Sequence, residues 1–180
     1  MSEMGKGAGR IEKSRLEVCD AVGRLLELWG FRRNLGRIWA LLYLRSEPVG
    51  AAEIALSLGM SRGSTSMSLQ ELLRWGVIRK SWKPGERKDF FEAEEDVAKV
   101  IVRVLREREL PAVDEAIRSL ENEEKKLASY GPEGKRLRKR TADLLRTTRR
   151  GRSLIRALAD PRGPGAAFLH GFTAVGEYEP

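Results

Sequence analysis

Residues 50–93 read GAAEIALSLGMSRGSTSMSLQELLRWGVIRKSWKPGERKDFFEA. Ala51, Ile54, Ala55 and Leu58 recur at helical spacing, so residues 50–58 form a short helix with one apolar face. Gly59 stops it, because glycine enters the left-handed cap conformation without steric cost. Met60 crosses a tight turn. Ser61 suits an N-cap, since its hydroxyl can accept a bond from a free amide of the next helix. That helix runs from Arg62 to about Trp75, with Gly76 past its end. Leu69, Leu72 and Leu73, with Thr65 a turn earlier, make its inward stripe.

The rest of the second helix is short and polar. Gly63, Ser64, Thr65, Ser66 and Ser68 crowd its N-terminal half, which helix propensity alone would not choose. Small residues there suit either close approach to a DNA major groove or an ordinary capped helix with a serine-rich exposed face. Residues 77–82 and 87–93 are rich in β-branched and aromatic side chains and flank Lys83-Pro84-Gly85-Glu86, a strong turn signal. A basic hairpin directly after a helix-turn-helix is the pattern of a winged helix. It favours DNA over the alternative of a solvated turn whose charges protect sheet edges.

The candidate contacts follow from this placement. In recognition helix 61–75, Arg62, Ser64, Ser66, Met67 and Gln70 are candidates for base edges or the groove. Ser61 and Gly63 would permit close approach and offer backbone amides. In wing 77–93, Lys83, Arg87 and Lys88 are candidates for phosphate contact.

Three segments carry a resemblance. Ser61 to Leu72 resembles the recognition helix of the GbsR-type branch of the MarR-like regulators. Trp75 to Ala93 resembles that branch's wing. Trp29-Gly30-Phe31-Arg32-Arg33-Asn34-Leu35-Gly36-Arg37-Ile38-Trp39 is similar to its N-terminal signature. The resemblance covers about residues 11 to 130. It implies a dimeric winged-helix transcription regulator, in some members tuned by a small effector, sometimes a quaternary ammonium solute. In MarR-like proteins the helix equivalent to residues 11–29 also joins the dimer interface.

Composition narrows the classes. The 180-residue chain carries a net charge of +8 and is 41% hydrophobic and 33% charged. A pI near 9.9 favours a polyanionic partner. No stretch has the apolar length of a transmembrane helix, and residues 1–7 lack the apolar core of a signal peptide, so a cytoplasmic protein without membrane attachment is expected. Cys19 is the single cysteine, which excludes an internal disulfide. It reads as a packing residue or as a redox-sensing thiol. No nucleophile–base pair, paired carboxylates or metal cluster can be assembled, and His170, the only histidine, supports no catalytic triad. Neither an enzyme nor a cofactor is expected.

Along the chain, residues 1–10 are Gly-rich and expected to be loose. Gly5-Lys6-Gly7-Ala8-Gly9 fails as a phosphate loop because no strand precedes it. Residues 11–29 form an amphipathic helix on Val18, Val22, Leu25 and Trp29, with Cys19 at the edge of the stripe. Asn34 is placed to cap a helix over residues 35–45. Arg32, Arg33 and Arg37 suit phosphates, acids or solvent.

After the wing, Val97, Val100, Ile101, Val104 and Leu105 form one face, Pro111 interrupts, and Val113, Ile117, Leu120 and Leu127 continue, with Glu124 breaking the stripe. A kinked helix over residues 95–130 spans about 50 Å and asks for a second copy as partner. Residues 135–158 are again helical. Residues 133–156 hold ten Lys or Arg against two acids. This helix either folds back on the preceding segment, residues 92–124, where acids outnumber bases, or offers a second surface to DNA; hairpin packing is favoured, with outward arginines left for phosphate. Residues 160–180 read as a Gly/Pro-rich tail. Trp29, Trp39, Trp75 and Trp82 fit either an aromatic pocket for a cation or the core.

The expected fold is therefore mainly α with a small β-hairpin. A winged helix-turn-helix domain over residues 11–93 is joined to a helical dimerisation and basic region over residues 94–159. The expected function is sequence-specific binding of double-stranded DNA as a homodimer. The alternatives are a non-specific architectural DNA-binding protein that uses the basic C-terminal helix and a winged-helix module for protein interaction. The effector site is not legible.

Overall fold

The computed structural model describes residues 3–173 and divides into two compact units, Met1–Asp96 and Val97–Pro180. In the first, α1 (Glu3–Leu28) and α2 (Arg33–Tyr43) precede a two-residue strand β1 (Val49–Gly50). Then come α3 (Ala51–Leu58), α4 (Arg62–Arg74), β2 (Ile78–Ser81) and β3 (Phe90–Ala93). The strands form one antiparallel sheet in the order β1-β3-β2, with Val49 opposite Phe91 and Ile78 opposite Ala93. The protein is thus mainly α with a small sheet, as expected of a winged helix-turn-helix. The hairpin gains a third strand that the sequence reading did not contain. Gly50 lies in β1 and caps α3 instead of opening it.

The core joins Leu35, Ile38 and Leu41 of α2 to Ile54 and Leu58 of α3, Leu69 and Leu72 of α4, and Val77, Phe90 and Phe91 around the sheet. α1 packs on α2 through glycine. A Cβ built at Gly36 would lie 3.0 Å from the Cα of Gly23 and 3.0 Å from the Val22 carbonyl oxygen. The helices meet backbone to backbone there, which only missing side chains permit.

That crossing decides which face of α1 is covered. Cys19 and Gly23 are buried, whereas Val18, Leu25 and Trp29 are exposed. The apolar stripe of Val18, Leu25 and Trp29 therefore points outward in large part, and Cys19, expected at the edge of that stripe, sits on the covered face. Two further expectations are corrected. The helix begins at Glu3, so residues 3–10, expected to be loose, are helical. Asn34 does not cap α2; Arg32 holds the N-cap position, without a side-chain cap bond.

The second unit runs α5 (Val97–Val104), a π-helical turn (Leu105–Glu109), α6 (Leu110–Leu127), α7 (Gly131–Ala159) and α8 (Pro164–Thr173). The π turn has a local cause. Pro111 carries no N–H, and the wider turn lets the Leu110 N–H reach the Leu105 carbonyl. On α5 the fully buried residues are Ala98 and Val102, while the expected stripe is only half-buried.

α6 and α7 pack as an antiparallel hairpin. Arg138 reaches Glu124 at 2.8 Å, Arg149 reaches Glu121 at 2.6 Å and Arg152 reaches Asp114 at 2.6 Å. Glu124 thus takes a place in the α6 stripe and is paired there. These partly exposed pairs set register more than stability. The α6 stripe is covered by α7 of the same chain, so it does not itself call for a second copy. The expected tail is also corrected, since residues 164–173 form α8; residues 174–180 lie outside the described residues.

Candidate nucleic-acid interface

The turn between α3 and α4 is built from local bonds. Gly59 takes the left-handed conformation at φ 62°, and the Met60 N–H donates to the Ala55 carbonyl at 2.8 Å. The Ser64 N–H donates to Ser61 Oγ at 3.2 Å, and Thr65 Oγ1 donates to the Ser61 carbonyl at 3.0 Å. Two short polar side chains, Ser61 and Thr65, hold the first turn of α4.

Thr65, Ser68, Leu69 and Leu72 are buried, and Ser61, Arg62, Gly63, Ser66, Met67 and Gln70 are exposed. Residues 62, 63, 66, 67 and 70 share one face by helical spacing. Ser68, read as part of the polar outer side, belongs to the core. Ser64 is half-buried, and its Oγ accepts a bond from Asn34 Nδ2 at 3.2 Å, so this candidate for the groove is engaged with α2. Nothing lies within 4 Å of a Cβ built at Gly63. The protein's own packing therefore does not demand glycine at that position. Arg74, exposed in the last turn, continues the same face four residues past Gln70. The sequence reading missed it, although the spacing was there to be seen.

Arg32, Arg33 and Arg37, ahead of α4, are tied down. Arg37 reaches Asp20 at 2.7 Å, Arg33 reaches the same carboxylate at 3.4 Å, and Arg32 pairs with Glu71 of α4. Among the described residues Arg62 forms no ion pair.

In the wing, Gly85 takes φ 83° and the Glu86 N–H donates to the Lys83 carbonyl at 3.1 Å. Arg79 and Glu92 pair across the strands at 2.6 Å, and so do Lys80 and Asp89. A hydrogen bond from Ser81, then one from Arg79, holds the Glu92 carboxyl below the usual carboxylate range. Lys83 and Lys88 both stand over the Phe90 ring, at 4.8 and 5.2 Å from its centroid. Each also has an acid near it, Glu47 at 3.9 Å and Glu86 at 3.4 Å. Arg87 is exposed and forms no ion pair among the described residues. Of the three wing cations expected to contact phosphate, Lys83, Arg87 and Lys88, it alone has its charge uncommitted among the described residues.

The four tryptophans do not converge. Trp75 is buried edge-on to Phe31, Trp39 stacks on Tyr43 at 4.9 Å, and Trp29 and Trp82 are exposed. No aromatic cage for a cation is formed by them. Cys19 is buried, and that burial pushes its thiol up from the ordinary range. No group of metal-ligating side chains occurs among the described residues. No helix among them is long and apolar enough to cross a membrane.

No known protein-family profile matches the chain. Three curated relatives do, all from Bacillus subtilis (strain 168). The HTH-type transcriptional repressor GbsR is 33% identical over 89 residues, 49% of each chain. The putative HTH-type transcriptional regulator YvaV is 26% identical over 86 residues, 48% of this chain and 49% of its own. The HTH-type transcriptional repressor OpcR is 23% identical over 86 residues, 48% and 46% of the two chains. The chain spans about half the length of the curated relatives it matches. A crystal structure of a transcriptional regulator shares the fold, with a TM-score of 0.61 over 89% of this chain and 98% of its own, at 17% identity.

Proposed function

We propose, for a chain about half of which is of the GbsR type of helix-turn-helix regulator, that it represses or activates transcription as a homodimer bound to specific double-stranded DNA. The observation that carries this is the outer face of α4. Arg62, Gly63, Ser66, Met67 and Gln70 lie together, exposed and unused by the fold. In this reading residues 11–93 are the DNA-reading module. α4 enters the major groove, and Arg87 at the wing meets the flanking phosphate. Lys83 and Lys88 give a weaker contribution, because part of their charge is spent on Phe90 and on nearby acids.

The homodimer is supported by α1. Ile11, Val18 and Leu25 are exposed at seven-residue spacing, and Leu28 and Trp29 are exposed near its end. Such a row favours a partner helix. Two recognition helices would then meet successive major grooves about 34 Å apart. An effector and a cytoplasmic location belong to this reading as well.

Selection of bound fragments from a random duplex pool tests it. The expected result is one enriched inverted repeat. Arg87→Ala should weaken binding to all sequences and lower the salt slope by about one unit. Binding without any enriched motif would overturn site-specific regulation. It would favour the architectural reading, for which one observation speaks. Lys135, Lys139, Arg140 and Arg150 of α7 are exposed and, among the described residues, form no ion pair.

A further inference from the structure

A cleft of about 760 Å³ lies within the second unit, between the π-helical turn and the turn that joins α7 to α8. Its volume falls in the range of small-molecule sites, about 300–1,000 Å³. Arg106, Arg156 and Arg162 line it, and Leu110, Ala157 and Pro161 supply apolar wall.

The charge is unbalanced. Among the described residues none of the three arginines forms an ion pair. The one carboxylate in the lining, Asp160, accepts a bond from the Arg162 backbone N–H at 3.0 Å and pairs with none of the guanidiniums. Three like charges on one concavity repel one another, and an anion relieves that repulsion. Arg156, in the last turn of α7, is partly explained by the helix dipole. Arg162 is not, because it stands two residues before α8, at the end where a dipole favours an anion over a cation.

The walls are built. A Cβ at Gly165 would lie 2.4 Å from the Ala157 carbonyl oxygen and 2.7 Å from the Leu158 Cα. α8 therefore starts in direct backbone contact with the end of α7. That contact fixes the turn carrying Arg162. On the other side Arg106 lies within the π turn, and such turns recur at functional sites.

We infer that this cleft binds a small organic anion, a carboxylate or phosphate head on an apolar body. Each guanidinium offers a planar, two-pronged donor edge to paired oxygens of either head group. Leu110, Ala157 and Pro161 take the apolar part. The role of the ligand as an effector rests on the regulator reading above; the binding itself does not. DNA backbone phosphate shares the head-group chemistry and is separated from the small molecule by the test.

The full chain is titrated calorimetrically, without DNA, with phenyl phosphate, benzoate and inorganic phosphate. Phenyl phosphate or benzoate should bind once per chain, and inorganic phosphate more weakly. The Arg106→Gln/Arg156→Gln variant should lose about tenfold or more in affinity. Arg162→Gln should weaken binding as well, and it guards against a folding defect in the double variant. Unchanged binding by these variants would overturn the assignment. So would flat titrations with all three probes in a wild-type chain that binds duplex DNA. A double variant with weaker DNA affinity and a shallower salt slope, alongside flat wild-type titrations, would give the arginines to DNA and remove the site. Because no DNA enters the titration, its result is independent of whether the chain reads a specific sequence.

Discussion

Asn34 of α2 donates from Nδ2 to Ser64 Oγ of α4 at 3.2 Å, thirty residues along the chain. The bond joins the scaffold to the first turn of the helix proposed to enter the groove. It also removes Ser64 from the set of freely presented side chains. Asn34→Ala should destabilise the fold by about 1 kcal/mol, the usual size of one such bond. A double-mutant cycle with Ser64→Ala, read by urea denaturation, should give a coupling of about 0.5–1.5 kcal/mol. Additive effects would show the bond to be absent in solution.

Glycine substitutions should separate crowded from open positions. Gly36→Ala would place a methyl 3.0 Å from backbone atoms of Gly23 and Val22, and should cost about 1–3 kcal/mol. Gly151, inside α7 with nothing within 4 Å, should instead gain about 0.5–1 kcal/mol as alanine. Thermal melts of the two variants should shift in opposite directions.

Cys19 should behave as a packing residue. Its burial disfavours the thiolate, so a thiol reagent should label the native chain far more slowly than the unfolded one. The raised thiol also sets a sign. The unfolded state loses its proton first, so this group's contribution to stability falls as pH rises past the ordinary thiol range. Cys19→Ala should flatten that alkaline loss in a pH series of denaturation curves.

Glu92 should act at the acid end. Its carboxyl is held below the usual range by Ser81 and Arg79, so its stabilising effect is present above that range and lost as pH falls through its lowered value. Wild type and Glu92→Gln should differ in stability near neutral pH and converge in acid.

The outward row of α1 should govern association. Val18→Glu with Leu25→Glu places charge on two exposed positions, so the chain itself should keep its fold. Light scattering should report a dimer for the wild type and a monomer for the double variant. A wild type that is monomeric at micromolar concentration would remove the dimer from the proposal.

What the residue order determined was local. The left-handed Gly59, the Ser61 cap and the Pro84-Gly85 turn depend on neighbours a few residues away, and they place the helix-turn-helix and wing without reference to the rest of the chain. The exposed row of Arg62, Ser66, Met67 and Gln70 was legible for the same reason, since spacing alone puts those residues on one side. The tertiary structure decided which of two plausible faces is covered, and which polar groups are spent. Val18 and Leu25 turn outward because Gly23 and Gly36 let the backbones of α1 and α2 touch. Ser68 is buried and Ser64 engaged because α4 leans on α2. β1 is too short to show any alternation, and it exists only because Phe90 and Phe91 are there to pair with it. The α6 stripe is covered by α7, in a register set by charges twenty to forty residues distant. Each of these depends on groups far apart in the chain and close in space, and the free energy that selects among such pairings belongs to the contact, not to either segment alone.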